Sequence, residues 1–194
     1  MRLAGWVLIG GFGLWVLAMI LAPPSLYREA DLRERAAIVE RHLSRWYISQ
    51  ACFGLGMLVV GIGFLVLTRS RIASAGQWMA YAGAAALLIA GVIGSLAVYG
   101  QTLDPVGFWS GPNSPVEVAA GIALLAMTML GLGLWGVLFV QGFQPTWIGY
   151  LMAASAGLFT LVYIITRGGG AFFLISLAYL VTFVGGIALV RSGG

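Results

Sequence analysis

The stretch GQWMAYAGAAALLIAGVIGSLAVY, Gly76 to Tyr99, decides the fold of this chain. It crosses 24 positions without a charge. As a helix rising 1.5 Å per residue it would be about 36 Å long, enough for the ~30 Å hydrocarbon core of a bilayer. In lipid a backbone must satisfy its own hydrogen bonds, so a segment this long and apolar reads as a transmembrane helix. Ala82, Ala86, Ala90 and Gly94 recur every fourth residue along it. Such a line of small side chains lets a second helix approach closely.

Outward from this stretch the pattern repeats. Further apolar runs lie at residues 3–22, 47–68, 115–140, 146–166 and 169–190, and no charge sits near the middle of any. Hydrophobic residues make up 61% of the 194 and charged residues 8%, too few to cover a soluble domain of this size. The length suits one bundle with no second domain. The expected fold class is all-α: a polytopic membrane protein with six transmembrane helices. At about 20 apolar residues the first run is longer than a signal-peptide core and reads as a retained span.

Local signals agree with these boundaries. Pro23-Pro24 closes the first run and Arg69-Ser70-Arg71 the second. Gly54, Gly56, Gly61 and Gly63 give the second span a thin surface for helix packing. Gln101 to Asn113 holds turn residues, with Phe108 and Trp109 expected at headgroup depth. Ser114-Pro115-Val116-Glu117 has the form of a capping box with Pro at the first helical position. Gly168-Gly169-Gly170 reads as a tight turn, because no strand precedes it and no Lys follows it. Trp78-x-x-Tyr81 and Trp147-x-x-Tyr150 are read as interfacial aromatic belts.

Residues 25–46 form the one charge-rich segment, with five of the ten Arg and four of the six acids. Leu32, Ala36, Val39, Leu43 and Trp46 recur at alternating spacings of four and three, with Tyr47 beside them, which sets one apolar stripe on one helix face. Pro24 and Ser25 suit a helix start, and Glu29–Arg33 and Asp31–Arg35 are favourable i,i+4 pairs. The segment reads as an amphipathic helix on the membrane surface, or as one running unbroken into the second span. Leu32, Val39, Leu43, Trp46 and Tyr47, with Arg41 and Arg45, are its expected lipid or partner surface. The helix-packing surface is expected at Ala82, Ala86, Ala90, Gly94, Gly54 and Gly61.

Composition also excludes chemistry. All ten basic residues are Arg, so no retinal or pyridoxal phosphate Schiff base and no P-loop lysine can form. A single Cys, Cys52, and a single His, His42, leave no intrachain disulfide, no structural zinc site and no bis-His haem. His42 is the sole candidate cofactor ligand, and a solvated surface His is the simpler reading. No span carries a His for an intramembrane serine protease, and the His-Glu-x-x-His pattern is absent. Glu117 is explained by its capping box and Asp104 by the turn before Pro105. Gln50, Gln77, Tyr81, Tyr99, Gln141 and Tyr163 are the uncharged polar groups that could line a ligand cavity; hydrogen bonding between helices is their commoner use.

The net charge of +4 comes from Arg scattered between spans, which fits membrane topology and lipid headgroups rather than nucleic acid. With the N-terminus inside, Arg2, Arg69, Arg71 and Arg191 are cytoplasmic, against Arg167 and the five of the amphipathic segment. Bare counting favours the opposite orientation. Setting the surface helix aside reverses the balance, and both termini are then expected on the cytoplasmic side.

Two stretches carry a resemblance. Gln144-Pro145-Thr146-Trp147-Ile148-Gly149, followed by a Gly- and Ala-rich span, and the opening Arg2-Leu3-Ala4-Gly5 resemble a family of uncharacterised bacterial six-helix integral membrane proteins. The resemblance implies six helices and a bacterial cytoplasmic (inner) membrane, and no catalytic residue. The Arg-only basic set points the same way. The expected function is that of a non-enzymatic scaffold or accessory subunit among other membrane protein subunits. The alternative is a binder or carrier of a hydrophobic small molecule: lipid, quinone, carotenoid or chlorophyll. A transporter or membrane enzyme is least favoured.

Overall fold

The computed structural model describes residues 1–23, 26, 31–74, 76–104, 115–143, 145–165 and 171–192, with the side chains of Leu32 and residues 171–173 excepted. Eight helices lie among them: α1 (Arg2–Leu21), α2 (Leu32–Arg41), α3 (Leu43–Leu67), α4 (Arg71–Ser74), α5 (Gln77–Leu103), α6 (Pro115–Gly142), α7 (Trp147–Ile165) and α8 (Ala171–Ser192). Six of these, all but α2 and α4, are long and apolar enough to cross a membrane. The chain is an all-α, multi-pass membrane bundle.

The helix ends have local causes. Pro23 forces the residue before it out of the helical region, and Ala22 is extended at φ −54°, ψ 145°. At the end of α3 the hydroxyls of Thr68 and Ser70 donate to the carbonyls of Leu65 and Leu67 at 2.7 and 2.6 Å, closing the last turn. The chain then makes the one-turn α4, whose Ile72 and Ala73 are buried. α5 runs one turn beyond Tyr99, through Gly100, to Leu103. α6 starts at Pro115 as expected; the Ser114 half of its capping box lies outside the described residues, as do the Glu29–Arg33 pair, the Pro24-Ser25 start, Phe108, Trp109 and the Gly168–Gly170 turn.

The spans form a closed ring in the order α1, α3, α5, α6, α7, α8, with α8 returning to α1. Neighbours are antiparallel. A Cβ placed on Gly11 of α1 would lie 3.0 Å from the Gly56 carbonyl of α3, and one on Gly5 would lie 2.7 Å from the Gly186 carbonyl of α8. Lipid is as apolar as the helices, so close backbone approach and dispersion hold the ring together. Inside it Phe64, Trp135, Phe139 and Phe143 form a continuous aromatic row, with centroids 5.3, 6.3 and 5.0 Å apart. On the α1–α8 side Phe12 stacks on Phe183 at 4.6 Å and Trp15 on Tyr179 at 6.4 Å. The void between Met57, Leu87, Leu132 and Tyr179 measures about 10 Å³, at the lower limit for one water, so the bundle centre is packed.

The amphipathic helix expected between the first and second spans is present as α2, but it is shorter than the expected 25–46, and the alternative of an unbroken run into the second span does not hold. α2 ends at Arg41, α3 begins at Leu43, and His42 (φ −129°, ψ 33°) sits between them. α2 begins at Asp31, whose Oδ1 accepts from the backbone N–H groups of Arg33 and Glu34 at 2.7 and 3.3 Å, an N-cap. The turn at His42 lets Ile38 and Val39 of α2 and Trp46 of α3 converge on Leu26 in a satellite core. Neither Gly nor Pro lies at this break; Ile38, Val39 and Trp46 pack on Leu26 across it.

Candidate functional site

α3 and α5 cross at Gly54 and Ser95. The Ser95 hydroxyl lies within reach of two carbonyls, Gly91 at 2.8 Å on its own helix and Gly54 at 3.2 Å across the interface. A hydroxyl carries one proton, so the shorter bond holds the rotamer and the longer one ties the helices weakly. Next to this crossing the bundle surface is indented. A groove of about 610 Å³ is lined by Tyr47, Gln50, Leu55 and Leu58 on α3 and by Tyr99 and Thr102 on α5, with Gly54 and Ser95 also in its wall. This is the size of a small-molecule pocket.

The groove is polar at one end and apolar at the other. Since α3 and α5 are antiparallel, Tyr47 lies at the level of Thr102, and Gln50 near Val98 and Tyr99, all toward the end of the bundle where α3 starts. Leu55 and Leu58 lie deeper. Thr102 bonds its own helix, with its Oγ1 2.7 Å from the Tyr99 carbonyl. Gln50 differs: it is only 6% exposed, and no hydrogen bond from a described residue reaches its carboxamide. The carboxamide opens to the groove rather than being sealed in the core, so a bound group can pair with it there. Tyr47 and Tyr99 are exposed beside it.

Gln50 and Tyr99 were among the polar residues read from the sequence as possible cavity liners, and the fold brings those two together. Gln77, Tyr81 and Gln141 are exposed at the opposite end of the bundle, and Tyr163 is half-buried against the core. The remaining lining residues, Ala51, Leu55, Leu58, Ser95, Val98 and Thr102, carry no individual signal; only the pairing of α3 with α5 gathers them.

The surface expected of the amphipathic stripe is corrected. Val39 and Trp46 are 0% and 1% exposed, buried in the satellite core, and Leu43 is half-buried against it. They cover Leu26 rather than a lipid or partner surface. Arg41 and Arg45 are exposed, as is Tyr47, which belongs to the groove; the Leu32 side chain lies outside the described residues. His42 is exposed at the α2–α3 break and does not line the groove.

The small-residue line of α5 is largely covered by the chain itself. Ala86, Ala90 and Gly94 are buried, and Gly94 packs on Met57 of α3, while Ala82 alone of the four is exposed. Gly61 packs on Leu88, and Gly54 on Ser95. Glu117 and Asp104 are exposed outside the groove, and Cys52 is half-buried. Among the described residues no group of three His, Cys, Asp or Glu is placed to hold a metal ion. The groove therefore offers shape, apolar contact and one amide for recognition. No family model, no curated protein and no solved structure matches this chain.

Proposed function

We propose that the chain is a membrane-embedded binder of an amphiphilic small molecule, a lipid or a quinone with one apolar tail, held in the groove between α3 and α5. The observation that carries this reading is the Gln50 carboxamide, which opens to the polar end of a groove whose depth is apolar and is hydrogen-bonded by no described residue. The ligand's carbonyl or hydroxyl would meet Gln50 between Tyr47 and Tyr99, and its tail would follow Leu55 and Leu58. A chlorophyll is disfavoured because the groove has no His, and a carotenoid hydrocarbon would leave Gln50 unpaired. The lining supplies no acid, base or metal ligand for catalysis, which supports a binding or carrying role.

The scaffold reading takes second place. Its motives were small-residue helix faces, short loops and spans without polar chemistry, with the amphipathic helix as docking element; the small-residue faces are mostly used within the ring, and the apolar stripe of α2 covers Leu26. We place the protein in a bacterial cytoplasmic membrane with both termini cytoplasmic. The supporting feature is that Arg2, Arg69, Arg71 and Arg191 share one end of the bundle, once the Arg residues of the α2 segment at the other end are set aside as a surface helix.

Native mass spectrometry of protein purified in mild detergent tests the binding reading. A discrete adduct of a few hundred daltons that Gly54→Leu removes is expected. A spectrum with only bulk lipid, unchanged by that substitution, counts against the groove.

A further inference from the structure

Of all neighbouring pairs in the ring, α7 and α8 make the loosest seam. Each turns its thin face elsewhere. Gly149 of α7 sits against Val140 and the Gly136 carbonyl of α6, and Gly186 of α8 against the Gly5 carbonyl of α1. Between themselves α7 and α8 are held apart by a long side chain: a Cβ on Gly185 would meet the Met152 methyl at 2.6 Å. Toward the start of α7 and the end of α8 the seam opens into a cleft of about 460 Å³. Val184, Ile187 and Ala188 form its apolar wall, and Trp147, Arg191 and Ser192 stand at its mouth.

Among the described residues no acidic side chain lies at that end of the bundle. Arg191 shares its end of the bundle with Arg2, Arg69 and Arg71, and among the described residues no carboxylate pairs with any of the four. The described acids, Asp31, Glu34, Glu40, Asp104 and Glu117, all lie at the opposite end. An exposed guanidinium at headgroup depth, an indole beside it and an apolar slot beneath match a phosphate on an acyl chain. We infer that the α7–α8 cleft binds one anionic phospholipid, its phosphate on Arg191 and one acyl chain along Val184, Ile187 and Ala188. The site is separate from the α3–α5 groove and does not depend on the reading given to it.

The test is a native mass spectrometry titration of delipidated protein in detergent with phosphatidylglycerol, phosphatidylcholine of the same chains, and free glycerol phosphate. Phosphatidylglycerol should bind about fivefold or more tighter than phosphatidylcholine, whose choline cation cancels the charge of the same phosphate and repels Arg191; this is the contribution of one Arg facing a lipid with a net negative charge. Arg191→Gln should abolish that preference. Arg69→Gln, the same charge change at the same end but outside the cleft, should retain it. Ala188→Trp fills the slot and should weaken both lipids; if that variant does not fold, the two Arg variants decide alone. Equal binding of the two lipids overturns the proposal, as does loss of preference in Arg69→Gln. Glycerol phosphate binding as tightly as phosphatidylglycerol would also overturn it, since the cleft would then hold a soluble anion rather than a lipid.

Discussion

Gln50 concentrates the functional argument in one side chain. The Gln50 carboxamide opens to the groove and is hydrogen-bonded by no described residue, so Gln50→Leu should leave the stability of the empty protein close to wild type. The same change should weaken ligand binding about tenfold, the loss of a buried hydrogen bond of ~1–1.5 kcal/mol. Thermal melts in detergent with and without ligand check both halves. A destabilised Gln50→Leu would mean that the amide serves the fold instead. The glycines give a second contrast. A Cβ on Gly136 would lie 2.6 Å from the Ala153 backbone nitrogen, whereas one on Gly10 would meet nothing within 4 Å. Gly136→Val should cost about 1–3 kcal/mol or more by forcing α6 from α7. Gly10→Ala should be neutral or stabilising by up to ~1 kcal/mol, because it only restricts the unfolded helix. Chemical denaturation of the two variants side by side measures the difference. From the sequence both are glycines in apolar runs, and nothing local separates them; the register between helices does.

Among the elements, the spans were legible and the segment before α3 was less so. Charge-free length, the Pro23-Pro24 stop and Pro115 at a helix start each act within one helix, so sequence alone places them to within a few residues. The break at His42 is different in kind. Across it Val39 and Trp46 meet Leu26, a contact that no window of helical periodicity encodes. The stripe was read correctly as apolar, but its partner was misjudged: it covers the chain's own Leu26. Accordingly, His42→Ala should leave the break intact, while Leu26→Ala should loosen it, with a large-to-small core cost of about 2–5 kcal/mol to the satellite core. Asp31→Ala should remove about 1 kcal/mol from α2 through its lost cap. Hydrogen exchange resolved along the chain should show faster exchange over residues 32–41 in Leu26→Ala and Asp31→Ala. The amides of α3 and α5 should keep wild-type protection, because α2 has few contacts with the ring. Global loss of protection would show that α2 is integral to the bundle.

For the whole molecule, six helices could be counted from composition, but their order around the ring could not. Small residues mark several faces without naming the helix that fills each one, so the α3–α5 groove emerges only once Gly54 is set opposite Ser95. Two of its polar residues, Gln50 and Tyr99, stood out in the sequence because polar groups are rare in spans; its apolar lining is indistinguishable from any lipid-facing surface. The charge pattern acts at this scale too. With Cys52→Ser as background, Asp104→Cys should react with an impermeant thiol reagent added outside intact cells, and Ser192→Cys should not; the reverse labelling would invert the proposed orientation. The account's central claim is that the α3–α5 groove holds an amphiphile by its head near Gln50. Photolabelling with a diazirine-bearing quinone or lipid probe, followed by peptide mapping, tests it most directly. Crosslinks concentrated on Tyr47–Leu58 and Ser95–Thr102, and lost in Gly54→Leu, are predicted. Labelling spread evenly over every lipid-facing helix, and unaffected by that substitution, would contradict it.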